Sequence, residues 1–145
     1  MVGRGQTVGG IRRFNRFYTA FLGVLDRHFL ESPYSLTEVR ILYEIRHATE
    51  SLARDIGTSL GVDRGYLSRI IDSFILRGLL RTSPSRQDRR RRIITLTKKG
   101  EEVFDQLETR SEESVSRAIK GLSRAEQDEL LSHMERIQEL LDRRA

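Results

Sequence analysis

The sequence predicts a mainly α-helical fold interrupted by one small β-hairpin. Three observations predict it. Apolar residues recur at three- and four-residue spacing along most of the chain, the period of helices with one buried face. Two short stretches of that kind meet across "LGVD", Leu60 to Asp63, a tight glycine-containing turn of the helix-turn-helix type. Two β-prone runs then flank "SPSRQDRRRR", Ser83 to Arg92, which is rich in turn formers.

The first helix is expected from Ile11 to Leu30. Ile11, Phe14, Tyr18, Phe21, Leu22, Leu25 and Phe29 form its stripe, and Phe17 and Val24 widen it. The ten residues before it, "MVGRGQTVGG", read as a flexible leader without the apolar core of a signal peptide. Pro33 stops this helix, and Ser35 with Glu38 forms an S-x-x-E capping box for the next. That helix, Leu36 to about Ala48, should bury Val39, Leu42 and Ile45. A shorter one from about Ser51 to Leu60 turns Leu52, Ala53, Ile56 and Leu60 inward. Gly61 suits a left-handed C-terminal position, and Asp63 caps a helix from Arg64 to about Arg77 that buries Leu67, Ile70, Ile71 and Phe74.

After Gly78, Leu79 to Thr82 and Ile93 to Leu96 pair as the hairpin. A hairpin directly after the second helix of a helix-turn-helix is a wing. Helical spacing resumes through Val103, Phe104, Leu107, Val115 and Ile119; Gly121 breaks it, and Ser123 with Glu126 makes a second capping box. The last helix carries Leu130, Leu131, Met134, Ile137, Leu140 and Leu141. The expected organisation is a leader at 1–10 and one domain at 11–145. Within it, 36–97 form the winged helix-turn-helix, with dimerisation helices at 11–30 and 98–143. The terminal helices either fold back on their own domain or meet the same helices of a second copy, and a homodimer suits a protein that reads a palindrome.

Composition narrows the function. With no cysteine, disulfides, thiolate zinc sites and thiol redox sensing are excluded. No run approaches the roughly 20 apolar residues of a membrane span, so no membrane is expected and a cytoplasmic location is the default. His28, His47 and His133 fall in three different predicted helices, none with a metal-ligand neighbour at i+3 or i+4 on an apolar face, so no metal or other cofactor is expected. No G-x-S-x-G frame surrounds a serine, and "RGQTVGG" lacks a P-loop lysine; neither suggests an enzyme.

The charge is informative. The net +5 divides into 19 basic and 9 acidic residues over 1–99, and 7 basic and 12 acidic over 100–145. Between Arg81 and Lys99 stand 8 basic residues against Asp88 alone. Such crowding is tolerable where a polyanion visits, and double-stranded DNA is the expected partner. At the start of the second helix, Arg64 and Arg69 can each present a forked donor to guanine. Ser68 can reach a base edge or a phosphate, and Gly65 lets the helix approach closely. Tyr66 either meets a thymine methyl or a phosphate, or packs on the preceding helix.

The order of elements and the wing motif resemble the MarR family of bacterial transcriptional regulators, over essentially the whole chain. "DRRRRIITLTKKG" is similar to that family's D-x-R followed by L-T-x-x-G, here Asp88, Arg90, Leu96, Thr97 and Gly100. "LGVDRGYLSRIIDSFILRGLL" resembles its recognition helix and closing glycine. The resemblance implies that Arg90 enters a minor groove, reading its potential rather than single bases. Asp88 would pair with a wing arginine, and Arg86, Arg89, Arg91 and Arg92 would face phosphates; strand alternation would set Arg89 and Arg91 opposite Arg90 and Arg92. It also implies a small-molecule effector, aromatic or anionic, whose candidate pocket residues are Phe17, Phe21 and Tyr43 with Arg16 or His47; the other reading places the aromatics in the core and leaves Arg16 solvated. "IRRFNRFYT" and "SPYSLTEVRILYEI" further resemble the MarR-like half of proteins fused to a GNAT acetyltransferase.

The leading expectation is a homodimeric repressor of a palindromic operator. The alternatives are the DNA-binding module of a bifunctional acetyltransferase and a winged helix used for protein contact.

Overall fold

The computed structural model describes Met1, residues 3–23 and residues 29–142. Among these described residues, six α-helices and one hairpin follow in the order α1 (Arg4–Phe21), α2 (Leu36–His47), α3 (Ala53–Leu60), α4 (Arg64–Leu76), β1 (Leu80–Pro84), β2 (Arg92–Leu96), α5 (Lys98–Ile119) and α6 (Arg124–Asp142). This is a winged helix-turn-helix with helices at both ends. The chain divides into two compact units, residues 1–109 and 110–145, and α5 runs through the division.

In the first unit, α1 begins at Arg4 rather than Ile11, so most of the expected leader is helical, and it ends at Phe21 rather than Leu30. Gly3 in extended conformation starts it, with the Gln6 side chain accepting the Gly3 N–H at 3.3 Å. Gly23 at φ 65° follows its end, a conformation that glycine adopts without a Cβ penalty. The expected stripe positions Val24 and Leu25, with His28, lie outside the described residues. Among those described, α1 buries none of its side chains.

A short 3-10 turn, Phe29–Glu31, leads towards α2. Leu30 and Glu31 stand at φ 56° and 53°, the left-handed region that costs a residue with a Cβ about 1–2 kcal/mol. Buried Ser32 holds the turn closed: its hydroxyl donates to Phe29 O at 2.5 Å and accepts from Tyr34 N at 3.3 Å. Ser35 and Glu38 then form the expected capping box, with bonds of 3.3 and 2.7 Å.

The core lies between α2, α3, α4, the hairpin and the first turns of α5. All four α4 residues expected inside are buried, Phe74 completely. In α2, Leu42 and Ile45 are buried as expected, but Ile41 is inside and Val39 only half so. The α2 stripe is therefore broader than a single-sided pattern suggests, because both the hairpin and α3 contact this helix. Ala53, expected inward, is exposed, and α3 starts two residues late. Ser51 is diverted: its carbonyl accepts Ile94 N–H at 2.8 Å and its hydroxyl donates to Ile45 O at 3.3 Å, which lays the α2–α3 loop along β2.

The strands pair antiparallel, Leu80 opposite Leu96 and Pro84 opposite Arg92. At the hairpin base, Thr97 N–H donates to Leu79 O at 3.0 Å, its hydroxyl donates to Gly78 O at 2.6 Å, and it accepts Gly100 N–H at 3.0 Å. Gly100 faces Leu79 so closely that a Cβ would overlap its carbonyl oxygen. Leu96, Thr97 and Gly100 thus form a joint between wing and α5.

In the second unit, the rest of α5 turns at Lys120–Ser123 into α6, where Ser123 and Glu126 make the second capping box. Bonds from the Ser123 backbone and hydroxyl hold the Glu126 carboxyl below its ordinary range. Leu131, Ile137, Leu140 and Leu141 of α6 are exposed.

Gly100→Ala should cost about 1–3 kcal/mol of stability, the usual effect of forcing a methyl into a packed site. Gly121→Ala, with open space around its Cβ position, should stay within about 0.5 kcal/mol. Urea unfolding of both variants checks the contrast.

Candidate nucleic-acid interface

The first turns of α4 divide inside from outside. Leu67 and Ile70 are buried, while Arg64, Gly65, Tyr66, Ser68 and Arg69 are exposed. Asp63 caps the helix, its carboxylate accepting Tyr66 N–H at 3.0 Å. A Cβ on Gly65 would come within 3.3 Å of that carboxylate, so this glycine also makes room for the cap. Of the two readings of Tyr66, exposure of 41% favours the outward one.

Between α3 and α4 runs a groove of about 570 Å³ lined by Arg54, Gly57, Thr58, Arg64, Leu67 and Ser68 among others. It sets Arg54 and Thr58 beside the expected Arg64 and Ser68. Neither was singled out in the sequence, where their i, i+4 spacing was the signal available; in the structure the Thr58 hydroxyl donates to Arg54 O at 3.0 Å.

The hairpin tip is ordered by two side chains. Asp88 accepts Arg90 N–H at 3.0 Å, while its backbone carbonyl accepts Arg91 N–H at 2.9 Å. Buried Ser85 accepts Gln87 N–H at 3.2 Å and donates its own N–H to Arg91 O at 2.9 Å. Ser85 was not singled out from sequence, since a serine among turn formers carries no mark of burial.

Arg89, Arg90 and Arg91 lie in this turn and only Arg92 in β2, so strand alternation does not sort the four arginines. Arg86, Arg89, Arg90, Arg91 and Arg92 are all exposed. Asp88 pairs with Arg91 at 3.6 Å, a contact between half-exposed groups worth about 0–1 kcal/mol. Among the described residues, Arg64, Arg69, Arg86, Arg89, Arg90 and Arg92 form no ion pair. Six guanidiniums are thus left to solvent on α4 and the wing tip.

The candidate effector residues fall into two groups. Phe17 stacks on Phe21 at 6.1 Å in α1, with Arg16 exposed on the same helix. Tyr43 stacks on His47 at 4.1 Å in α2, and both approach Phe104 of α5 at 6.3 and 5.9 Å. No ring contact joins the groups among the described residues. Phe104, buried, was read from sequence only as core. No cluster of three or more His, Cys, Asp or Glu suited to a metal ion occurs among the described residues. Nor is any described helix long and apolar enough to cross a membrane.

Comparison with known proteins finds partial likeness in sequence and fuller likeness in fold. The MarR family model matches residues 32–91, from the turn before α2 to the wing tip. The HTH-type transcriptional regulator BilQ of Clostridium symbiosum is 24% identical over 84 residues, 58% of this chain and 58% of that protein. The match therefore spans less than two thirds of that relative's length.

Among solved structures, a MarR family protein from Bacillus stearothermophilus superposes with a TM-score of 0.80 at 12% identity, covering 97% of this chain and 99% of that one. CouR of Rhodococcus jostii, solved with p-coumaroyl-CoA, gives 0.69 at 17%, covering 94% and 95%. BpsR of Bordetella bronchiseptica, whose DNA binding is regulated by 6-hydroxynicotinic acid, gives 0.68 at 20%, covering 95% and 97%. At these identities the structures speak for the fold alone.

Asp88→Ala should free the Arg90 amide, raising its exchange rate in NMR while changing global stability by no more than about 0.5–1 kcal/mol. Asp88→Asn keeps an acceptor oxygen and should leave that amide protected.

Proposed function

We propose that this chain, whose residues 32–91 match the MarR family model, is a MarR-type homodimeric, sequence-specific DNA-binding transcriptional regulator. The observation that carries the proposal is the set of exposed guanidiniums without an ion pair on α4 and the wing tip, on turns where Asp63 and Asp88 accept the Tyr66 and Arg90 amides. Charge left without an internal partner at a rigid surface is charge available to phosphates and base edges.

In the proposed complex the first turn of α4 enters a major groove, where Arg64 and Arg69 offer forked donors to guanine O6 and N7. Ser68 and Tyr66 reach base edges or phosphates beside them. The wing follows the duplex outward. Arg90, its amide fixed by Asp88, is placed in the adjoining minor groove, and Arg86, Arg89, Arg91 and Arg92 face phosphates. Asp88 acts by holding the turn; as an anion near DNA it would otherwise weaken binding.

The dimer is supported by apolar side chains exposed among the described residues: Ile11, Phe14, Phe17 and Phe21 on α1, and Leu131 and Leu141 on α6. Two copies would place two recognition helices one DNA turn apart, about 34 Å, as a palindrome requires. Repression relieved by a small aromatic or anionic effector is the proposed regulation. It is supported by the small molecules named for CouR and BpsR and by the aromatic residues on α1 and α2. The mechanism would be differential affinity: an effector favouring a spacing of recognition helices that does not match two grooves weakens DNA binding by its coupling energy, about 1–3 kcal/mol.

On a duplex bound selectively, Arg90→Ala should weaken affinity by about 1–3 kcal/mol and relax preference in the flanking A/T tract. For a dimer making about 8–10 phosphate contacts, wild-type affinity should fall roughly 10⁴–10⁵-fold between 50 and 200 mM salt. Fluorescence-anisotropy titrations check both, and unchanged affinity in Arg90→Ala would remove the minor-groove role.

A further inference from the structure

The turn that precedes α2 is bound to the far end of α4. Its two consecutive left-handed residues, Leu30 and Glu31, are neither glycine nor asparagine, so a turn without a task would be expected to relax. It is closed instead by Phe29 N–H donating to Tyr34 O at 2.9 Å and by the buried Ser32 hydroxyl between them. What the closed turn delivers is the Tyr34 ring. That ring is 7% exposed, sits edge-on to Phe74 at 6.1 Å, and lies beneath the Arg77 guanidinium at 4.9 Å. Among the described residues the Tyr34 hydroxyl makes no hydrogen bond, so the ring does the holding.

Arg77 is the C-cap of α4, and its carbonyl accepts from Lys99 Nζ at 3.0 Å. The end of the helix is thus gripped from two directions, by the turn through the Arg77 side chain and by the start of α5 through its carbonyl. We propose that the Phe29–Tyr34 turn is a strained clamp that sets the position of the C-terminal end of α4, with Tyr34 and Arg77 as its positioning residues. Its consequence for DNA rests on the reading of α4 as a recognition helix. A helix of 13 residues is roughly 20 Å long, so a tilt of about 10° swings its first turn by roughly 3 Å. That displacement breaks hydrogen bonds to base edges. Flexible arginines tolerate it when they need only follow phosphates. Loosening the clamp therefore costs selectivity before it costs binding.

The test is amide exchange by NMR at Arg77, Gly78 and Leu79, whose N–H groups close the end of α4. Tyr34→Ala should speed their exchange by about 10-fold or more while Ile41 and Leu42 in α2 keep their protection, and Tyr34→Phe should stay within about two-fold of wild type. Arg77→Ala, at an exposed position that leaves the core filled, should give about a two- to five-fold increase. Unchanged exchange in both Tyr34→Ala and Arg77→Ala overturns the clamp. If Tyr34→Ala loses protection in α2 as well, Arg77→Ala decides alone. On DNA, the affinity ratio between a selected and a scrambled duplex should fall about 10-fold in Tyr34→Ala, with scrambled-duplex binding unchanged. A wild-type chain that selects no duplex would refute the DNA reading, while the exchange data would still decide the clamp.

Discussion

The close approach of the first turn of α5 to Leu79 is the contact on which the surrounding structure depends. At Gly100 the helix backbone lies against the Leu79 carbonyl with no room for a side chain. The Thr97 hydroxyl bonds both sides of this joint, reaching Gly78 O and receiving Gly100 N–H. Three elements meet there: the end of α4, the base of the hairpin and the start of α5. Because the joint is made of backbone and one short side chain, it has little freedom to adjust.

The arginine loop is ordered by hydrogen bonds of its own. Two unit charges about 4 Å apart in water repel by about 1 kcal/mol, and screening at physiological salt acts over about 8 Å. A floppy loop would spread four successive arginines to reduce this repulsion. Here Asp88 and Ser85 fix the backbone of the turn, so the charges stay concentrated at the hairpin tip. The proposed DNA contact, in which such a cluster gains by releasing condensed counterions, offsets the repulsion that the free protein carries.

Much of the fold was legible in the sequence. The interior of α4 was read residue for residue, because Leu67, Ile70, Ile71 and Phe74 face one compact core. Both capping boxes were legible as well, since Ser35 with Glu38 and Ser123 with Glu126 act within one turn. What the pattern missed was set by partners distant in sequence. Ile41 is buried because the hairpin covers a second side of α2, and α3 starts late because Ser51 is engaged by Ile94. The candidate interface divides in the same way. Arg64, Tyr66, Ser68 and Arg69 follow from the register of one helix, whereas burial of Ser85 and the Tyr34–Arg77 contact need the tertiary fold.

The measurement that tests the central claim most directly is selection from a pool of fully randomised duplexes by the purified chain at near-physiological salt. The account expects enrichment of an inverted repeat whose half-sites are centred about one helical turn, 10–10.5 base pairs, apart, with two protomers bound per duplex. A pool that stays random while binding remains steeply salt-dependent would contradict it, leaving a basic surface without sequence readout.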